Sequence, residues 1–277
     1  GAGGFGITYI GWDDTLQRRV AIKEYFPSNL STRIPGHTEI SVFTGEKAKI
    51  YHHGLQRFLE EARLLMRFSG QKGIVSIYDV LEENGTAYIV MEHLEGITMK
   101  QHVAQFGVMN EEQLLQCMIP AILTLKFLHQ DGYIHRDIAP DNIMYLPDGS
   151  IKLLDFGAAR YAVMEASQTL SVIVKQGFTP IEQYQSHGKQ GPWTDVYAVG
   201  ATMYYALTGK VPLGALERLN HDTLKSPLQM GAKVSPQVSR AIMAALNVQP
   251  EERPQNLDSL IAALLGQEEP PVIQHRR

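Results

Sequence analysis

Residues 135–157 read HRDIAPDNIMYLPDGSIKLLDFG, and this stretch decides the class of fold. The turn-prone sequence PDG at 147–149 divides two short apolar runs, which predicts a small β-hairpin. Asp137 and Asn142 come before the hairpin and Asp155 follows it, so two carboxylates and an amide are brought together. Oxygen ligands of this kind suit Mg²⁺, which takes a few protein ligands and completes its shell with substrate phosphates. The stretch therefore predicts a magnesium site.

A glycine cluster, GAGGFG, occupies residues 1–6 and fits the pattern G-x-G-x-x-G. Glycines let the backbone approach phosphates closely, with amide groups pointing at the anion. The dinucleotide-binding version of this pattern needs a helix immediately afterwards. Residues 7–10 predict a strand instead, so the dinucleotide-binding interpretation fails. The cluster is predicted to form a hairpin lid.

A lysine and a glutamate form a second candidate pair. The run VAIK ends at Lys23, which lies at the inward-facing end of an otherwise apolar strand, although a lysine there can also extend to solvent. Leucine, phenylalanine and alanine recur at spacings of three and four over 54–68, which predicts a helix. Glu61 shares the apolar face of this helix with Phe58, whereas Glu60 lies on another face. Glu61 is therefore predicted to pair with Lys23.

The pattern of elements divides the chain into a strand-rich part and a helical part. Residues 27–50 contain prolines and glycines without a sustained period, so they are predicted to be an irregular insertion. The sequence predicts an α+β fold with a first domain over 1–94, a second over 95–266 and an exposed linker over 267–277. Strands of the first domain are predicted over 7–12, 19–26, 74–81 and 87–94, the last two joined by the hairpin turn Glu83-Asn84-Gly85.

Composition excludes several classes of protein. The 277 residues contain 25 Lys+Arg and 29 Asp+Glu, for a formal net charge of −4. This balance gives no general attraction to nucleic acid or to an anionic membrane, so phosphate binding must be local. The single cysteine, Cys117, excludes an internal disulfide framework and fits a reducing compartment. No apolar run approaches the ~20 residues needed to span a bilayer.

The ordered set of motifs resembles the protein kinase family over nearly the whole chain. It runs from the glycine cluster through Lys23 and Glu61 to the motifs HRD-x-x-x-x-N and DFG of 135–157. The resemblance implies a bilobal fold, with a small β-rich N-lobe containing one main helix and a larger α-helical C-lobe. The run AIKEYFP that surrounds Lys23 is similar to the eukaryotic-like Ser/Thr kinases of bacteria.

Two later motifs extend the resemblance beyond the chemistry. The sequence PIE at 180–182 stands where the family has Ala-Pro-Glu, and PEERP contains the family's late arginine, Arg253. The resemblance implies that Arg253 pairs with Glu182. It also implies that Gly1 is the first glycine of the lid, so that the first strand lies upstream and is missing from this sequence.

The resemblance implies roles for the motif residues. The lid covers the triphosphate of ATP through Gly1, Ala2, Gly3, Gly4, Phe5 and Gly6. Lys23, held by Glu61, contacts the α- and β-phosphates, while Asp155 and Asn142 hold Mg²⁺ or Mn²⁺. Asp137 accepts or orients the proton of the attacking hydroxyl. The implied catalytic residues are therefore Asp137, Lys23, Glu61 and Asn142.

The resemblance also implies an adenine site. Met91 would be the gatekeeper residue, and backbone groups of Glu92 and Leu94 would read the adenine edge. The alternative for the apolar members of this set is plain core packing. The side chains that would sandwich the base are Thr8, Ala21 and Met144.

Two positions depart from the family pattern. Serine/threonine kinases carry a lysine two residues after the catalytic aspartate, where this chain has Ala139. Seven residues before Glu182, where these kinases usually have threonine, it has Lys175. One interpretation is that Lys175 supplies the missing cation. The plainer interpretation, which the sequence favours, is that Lys175 is a surface lysine and that another group, or a slower rate, covers the deficit.

The resemblance implies an ATP-dependent protein kinase that phosphorylates Ser/Thr hydroxyls of proteins. In the family, an arginine beside the catalytic aspartate, here Arg136, usually binds a phosphorylated residue of the activation segment. The candidate phosphorylation positions are Ser167, Thr169 and Ser171. The implied partners are ATP, a protein substrate and a second copy of the chain for autophosphorylation. No nucleic acid and no membrane contact of this fragment are expected. A cytoplasmic location follows, and an anchor in missing segments stays open.

Two other functions remain alternatives. A nucleotide-binding pseudokinase, a regulatory module with weak or no catalysis, would explain Ala139. A small-molecule phosphotransferase would share the bilobal plan. The DFG triplet and the Glu182–Arg253 arrangement argue against the second alternative, because they organise a platform for protein substrates.

Overall fold

The computed structural model describes residues 2–3, 6–155, 175–185 and 188–267. The chain divides into two compact units, one containing the described residues up to Glu95 and the other those from Gly96 onward. Gly1, Gly4 and Phe5 of the glycine cluster lie outside the described residues. So do Phe156 and Gly157 of the DFG motif. The three candidate phosphorylation positions Ser167, Thr169 and Ser171 also lie outside them.

The first unit is built on an antiparallel sheet of five strands, in the order β1-β2-β3-β7-β6. Two short strands form a separate ribbon within residues 27–50, the segment predicted to be irregular. The strands are β1 (Ala2–Gly3), β2 (Gly6–Asp13), β3 (Arg18–Tyr25), β4 (Ser31–Thr32), β5 (Ser41–Val42), β6 (Ile77–Glu83) and β7 (Thr86–Glu92). Gly3 lies opposite Gly6, so the glycine cluster begins a hairpin with β2.

The turn between β6 and β7 has the conformation that its sequence predicts. Asn84 has a φ of 55° and Gly85 a φ of 72°. Two successive positive φ values define the tight turn that matches the right-handed twist of paired strands, and Asn-Gly is the preferred sequence for it. The predicted hairpin is confirmed, although β6 begins at Ile77, three residues after the predicted start.

The main helix of the first unit, α1 (Glu46–Arg67), is longer than predicted. It begins inside the segment 27–50, so the prediction of an irregular insertion is wrong for residues 46–50. Ile50, Gly54 and Phe58 follow one another at helical spacing and are all buried, so the apolar face extends a full turn earlier than predicted. Gly54 has no side chain, so an apolar pattern in the sequence cannot detect this buried position.

An aromatic cluster fastens α1 to β3. The ring of Tyr25 lies 5.1 Å from that of Tyr51 and 5.6 Å from that of Phe58, measured between centroids. The Tyr25 hydroxyl donates to the Tyr51 carbonyl at 3.2 Å, and the Thr86 hydroxyl donates to the Tyr25 carbonyl at 2.5 Å. Fully buried aromatic rings contribute a large part of packing energy. The cluster therefore fixes α1 against the strand that carries Lys23.

The second unit is mostly helical. A small three-stranded sheet, in the order β10-β9-β8, lies beside the helices. Short 3₁₀ turns occupy Ile181–Tyr184 and Pro250–Glu252. The strands and helices are β8 (Ile97–Thr98), α2 (Met99–Phe106), α3 (Glu111–Gln130), β9 (Ile143–Tyr145), β10 (Ile151–Leu153), α4 (Pro192–Thr208), α5 (Ala215–Arg218), α6 (Pro236–Ala245) and α7 (Leu257–Leu265).

Helix α4 forms the core of the second unit. Almost every residue of this helix is buried, whereas surface helices bury one face only. Gly200 lets α6 approach closely, because a Cβ atom added there would lie 2.8 Å from the Cβ of Ala245. The predicted hairpin over 143–155 is present as β9 and β10. Among the described residues, no helix is both long and apolar enough to cross a membrane.

Candidate active site

In the first unit, four of the predicted site residues share one face of the sheet. Thr8 is the register partner of Lys23, and Ala21 is the register partner of Met91. Directly paired residues, and residues two apart on a strand, point to the same side. Thr8 is exposed and the other three are half-buried, so none of them belongs to the fully buried core. Core packing, the alternative for Ala21 and Met91, is therefore at most partial within this unit.

Lys23 lies beside the helix face that carries Glu61. Its Nζ atom is 5.9 Å from the centroid of the Phe58 ring, and Phe58 is three residues before Glu61 on α1. Glu61 is buried, with 4% of its surface exposed. Glu60 instead contacts Arg57 at 2.8 Å on the exposed side of the helix. The structure thus places Glu61, and not Glu60, on the side of α1 that packs.

On the opposite face of β3, Glu24 forms an ion pair that sequence reasoning did not find. Its carboxylate has no exposed surface and accepts hydrogen bonds from the Tyr9 hydroxyl at 2.8 Å and from both terminal nitrogens of Arg33. Burial raises the pKa of the Glu24 carboxyl, but the bonds from Arg33, Tyr9 and Tyr88 outweigh it, so the pKa is lowered. Arg33 comes from segment 27–50, so this segment is fastened to the sheet.

The two predicted hinge residues lie at the end of β7. The Glu92 backbone amide donates to the Ser76 carbonyl at 2.9 Å, and the Ser76 amide donates to the Glu92 carboxylate at 2.7 Å. These bonds hold the strand end in place. Glu92 and Leu94 are both half-buried. Met144, the remaining predicted base contact, belongs to the second unit, where it pairs with Lys152 and Thr98.

In the second unit, Asp195 of α4 holds the loop that contains Asp137. The fully buried Asp195 carboxylate accepts the backbone N–H groups of His135 and Arg136, each at 2.8 Å. His129 Nε2 lies 2.7 Å from the same carboxylate. Burial raises the pKa of Asp195, but these partners outweigh it and lower the pKa. They also fix Arg136 at a φ of 66°, a left-handed conformation that non-glycine residues adopt at a cost.

Asp137 is oriented by its neighbours in the same loop. The Asn142 side-chain amide nitrogen donates to the Asp137 carbonyl at 2.7 Å and to its carboxylate at 3.0 Å. The Asp137 amide lies 3.4 Å from His135 Nδ1, which can accept only when the imidazole is neutral there. Burial lowers the pKa of His135, which favours that neutral form. His135 is thus buried and anchors the backbone of this loop.

Asp155 completes the carboxylate–amide group. The Asn142 amide nitrogen lies 3.4 Å from the Asp155 carbonyl, and the Leu154 amide donates to the Asn142 carbonyl at 2.9 Å. Asp155 has a positive φ of 42°, and its side chain is exposed. The structure therefore brings Asp137, Asn142 and Asp155 together on either side of the β9–β10 hairpin. Hydrogen bonds through Asn142, and not only closeness in sequence, hold these three residues together.

Lys175 belongs to the same group, which contradicts its interpretation as a surface lysine. Its Nζ atom is 2.9 Å from the Asp141 carboxylate and 3.3 Å from the Asp137 carboxylate. Only 24% of its side chain is exposed. Ala139 is fully buried, and its carbonyl accepts the Asn142 amide at 2.9 Å. Ala139 and the two carboxylates that Lys175 contacts thus belong to the same loop, residues 137–142.

A buried ion pair links this group to the rest of the second unit. Arg253 donates to both oxygens of Glu182, at 2.8 and 3.1 Å, and its guanidinium carbon lies 4.9 Å from the centroid of the Tyr197 ring. The predicted pairing of Glu182 with Arg253 is confirmed. Next to Glu182, the Gln183 side chain donates to the Arg136 carbonyl at 3.2 Å. The segment after Lys175 is therefore bonded to the loop that contains Asp137.

The residues present fit a bound magnesium ion. Asn142 uses its amide nitrogen for the bonds to Asp137 and Asp155, which leaves its side-chain oxygen as a ligand atom. Within the described part of the chain, no three His, Cys, Asp or Glu side chains cluster as a metal cage. Mg²⁺ needs no such cage, because it is usually bound by one or two protein ligands plus waters and substrate phosphates. Asn142 and Asp155 match that requirement.

Comparisons with known proteins agree with this geometry. A sequence profile of the protein kinase domain matches residues 1–268. The chain is 30% identical to the serine/threonine-protein kinase PknA of Nostoc sp., over 95% of this chain and 45% of PknA. It is 30% identical to the serine/threonine-protein kinase PknL of Mycobacterium tuberculosis, over 91% of this chain and 60% of PknL. The solved structure of PpkA-294 in its apo form matches with a TM-score of 0.86 and 37% identity, covering 95% and 93% of the two chains.

A sheet unit with a strand lysine, together with a helical unit that carries the carboxylate–amide group, defines the kinase class of phosphotransferases. The chain belongs to the protein kinase family, because the matching profile covers almost its whole length. The bacterial serine/threonine kinases PknA and PknL confirm the resemblance read from the motifs, and the α+β fold is confirmed by the match to PpkA-294. The chain spans less than two thirds of the length of PknA and PknL.

Proposed function

We propose that this domain is an active protein kinase that transfers the γ-phosphoryl group of ATP to Ser/Thr hydroxyls of proteins. The observation that carries the proposal is the fixed group of Asp137, Asn142 and Asp155, held on the buried carboxylate of Asp195. Residues held in strained backbone conformations cluster at active sites, so the left-handed backbone of Arg136 and Asp155 favours a catalytic over a merely structural role. The relatives PknA and PknL, both named serine/threonine-protein kinases, support the choice of acceptor.

In the proposed reaction, the Asp137 carboxylate accepts a hydrogen bond from the acceptor hydroxyl and orients it. A bond forms between the hydroxyl oxygen and the γ-phosphorus, while the bond from the γ-phosphorus to the β–γ bridging oxygen breaks. ADP leaves with that electron pair, and the hydroxyl proton passes to Asp137 and then to water. Phosphoryl transfer depends mainly on alignment and on charge stabilisation, which fixed groups supply at low reorganisation cost.

Nucleotide-binding residues are proposed in each of the two units. We propose that Lys23, supported by Glu61, binds the α- and β-phosphates and that the glycine lid covers the triphosphate. Met91, Glu92, Leu94, Thr8, Ala21 and Met144 would contact the adenine. Asn142 and Asp155 would hold Mg²⁺ or Mn²⁺, which neutralises phosphate charge when bound. Autophosphorylation of Ser167, Thr169 or Ser171 by a second copy of the chain would complete activation. The added phosphate would then form an ion pair with Arg136.

The test is intact-mass and peptide mass spectrometry of the purified domain before and after incubation with ATP and Mg²⁺. We expect phosphate on Ser or Thr in the wild type and none in Asp137→Asn, which keeps the size of the side chain but removes its negative charge. A fall in initial rate of at least about 10²–10³ is expected for the variant, since it loses both the base and its orientation of the hydroxyl.

Two outcomes would count against the proposal. ATP binding measured by calorimetry without any phosphorylation, with either metal, would identify a pseudokinase instead. Phosphate transfer to a small alcohol but never to a general protein acceptor would identify a small-molecule phosphotransferase.

A further inference from the structure

We propose that the Lys175 ammonium contacts the transferring γ-phosphoryl group, and so replaces the lysine that the family usually carries at position 139. The inference rests on the proposed function and adds a catalytic residue to it. The cation comes from the segment before Glu182 rather than from the loop that carries Asp137.

The position of the ammonium supports this role. The acceptor hydroxyl must lie within hydrogen-bond reach of Asp137, about 2.6–3.2 Å, and about 3–3.5 Å from the γ-phosphorus that it attacks. Lys175 Nζ is 3.3 Å from the same Asp137 carboxylate. A cation at that distance from the Asp137 carboxylate lies next to the position of the acceptor hydroxyl and the γ-phosphorus that it attacks. It is therefore placed to stabilise the charge that develops on the phosphoryl oxygens.

The number of hydrogen-bond donors fits as well. A lysine ammonium has three donors and no acceptor. Asp141, at 2.9 Å, and Asp137, at 3.3 Å, account for two of them. One donor is left for a phosphoryl oxygen. The two carboxylates also hold the ammonium in position before the substrate arrives, which lowers the reorganisation cost of the reaction.

The backbone beneath Lys175 is fixed. Its carbonyl accepts the amides of Phe178 and Thr179, at 3.0 and 3.1 Å, and the Thr179 hydroxyl at 3.2 Å. Gly177 follows with a φ of 84°, and a Cβ atom there would lie 2.4 Å from Val211. This tight turn leaves little freedom for the segment to shift. The ammonium is thus presented by a rigid support, as electrostatic catalysis requires.

Ala139 cannot perform this function. Its methyl group is fully buried and uncharged. In the family the lysine at this position reaches the phosphoryl group, and loss of such a contact typically lowers the rate about 10²–10³-fold. With Lys175 in the usual place of a threonine, this chain keeps one cation beside the catalytic aspartate. The two departures from the family pattern are therefore one compensated change.

The experiment measures single-turnover phosphoryl transfer, which isolates chemistry from product release, in four variants beside the wild type. Lys175→Met should lower the rate about 10²–10³-fold with the KM for ATP changed little, and Lys175→Arg should retain at least ten times the activity of Lys175→Met. Asp141→Asn breaks the 2.9 Å pair but keeps the ammonium beside Asp137, so it should lose less than about tenfold. Lys210→Met, at an exposed lysine, is the matched control and should equal the wild type.

The outcomes separate the two proposals. If the wild type and Lys210→Met are both inactive, the proposed kinase function is overturned, and the inference about Lys175 is overturned together with it. If both are active and Lys175→Met is equally active, the kinase function stands and the inference is overturned. Equal losses in Lys175→Met and Asp141→Asn would also overturn it, because Lys175 would then only hold the segment. Thermal unfolding checks each variant, and Lys175→Gln replaces Lys175→Met if the latter does not fold.

Discussion

Glu24 and Asp195 are carboxylates without exposed surface, and each remains ionised because several donors surround it. A buried charge is costly unless it is paired and hydrogen-bonded. In the first unit the donors are side chains, chiefly Arg33, and in the second unit they are largely backbone amides. Glu24 therefore ties segment 27–50 to strand β3, and Asp195 ties the loop that contains Asp137 to helix α4.

Removal of Arg33 tests the ion pair in the first unit. Arg33→Leu leaves Glu24 buried without its main partner, so the free energy of unfolding should fall by about 3–5 kcal/mol near pH 7. Arg57→Leu is the matched control, since it breaks the exposed pair with Glu60 and should cost less than about 1 kcal/mol. Urea denaturation of the two variants measures both quantities. Equal losses would show that burial of Glu24 has no special role.

The same pair predicts a pH dependence whose sign follows from the lowered pKa of Glu24. The stabilisation is fully present above the ordinary carboxyl value of 4.5 and is lost as the pH falls through the lower pKa of the folded state. In Arg33→Leu, burial should raise the pKa of Glu24 instead, so protonation at low pH removes the cost of the buried, unpaired charge. The difference in unfolding free energy between the two proteins should therefore shrink from pH 7 to pH 4. A constant difference would contradict this account.

Single residues also show where sequence reasoning stops. Glu61 could be chosen over Glu60 because helical phase is visible in the sequence. Lys175 was misassigned because its partners Asp137 and Asp141 lie 34 or more residues away, and no local pattern reports such a contact. The pair of Glu24 with Arg33, nine residues apart, was missed because the chain between them has no regular period that would place the two side chains together. A glutamate beside Lys23 on the strand was the available signal, because alternate residues face opposite sides and a buried acid needs a partner.

At the scale of elements, the four predicted strands of the first unit begin and end within three residues of the predictions, whereas the start of α1 and the two strands of segment 27–50 were not predicted. The Asn84-Gly85 turn is determined by local conformational preference, so it could be read directly. The start of α1 depends on the burial of Tyr51 against Tyr25, a contact with a distant strand. The two strands of segment 27–50 have two residues each, too short for any alternation to appear. Tertiary contact decides such boundaries.

The crossing of α4 and α6 yields a prediction about packing. Gly200→Ala should lower the unfolding free energy by about 1–3 kcal/mol, although alanine favours helices, because its Cβ would lie 2.8 Å from Ala245. In an Ala245→Gly background the same change should cost almost nothing or stabilise. A double-mutant cycle by chemical denaturation gives the coupling energy directly. Additive effects would mean that the two positions do not meet.

At the scale of the whole molecule, ligand binding to the native state should raise stability. With Mg²⁺ and the non-hydrolysable analogue AMP-PNP at about 100 times its Kd, the expected gain is about 2.7 kcal/mol. Lys23→Met should remove most of the shift in melting temperature at the same ligand concentration, because it removes the proposed phosphate contact. Lys49→Met, at an exposed lysine of α1, is the control and should keep the shift. An unchanged shift in Lys23→Met would contradict the assignment of Lys23.

The order of the motifs was sufficient to predict the class of fold, because their residue types and spacings are specific when taken together. The bonds that make the second unit a working site were not all predictable. Glu182 with Arg253 followed from the family pattern, whereas the support of the loop by Asp195 did not follow from any local feature. Polar networks that join distant segments are the part of a fold that a sequence pattern describes least well.

The partners of the catalytic loop also set the order in which the chain can acquire activity during synthesis. The hydrogen bond from the His135 amide cannot form until Asp195, 60 residues later, has been synthesised. The ion pair of Glu182 cannot form until Arg253, 71 residues later, has been synthesised. At about 5–20 residues per second, translation from residue 135 to residue 253 takes roughly 6–24 s. Until Asp195 and then Arg253 have been synthesised, the nascent loop has its chemical groups but lacks part of their support. The bonds that hold this loop are therefore complete only after Arg253 has been made.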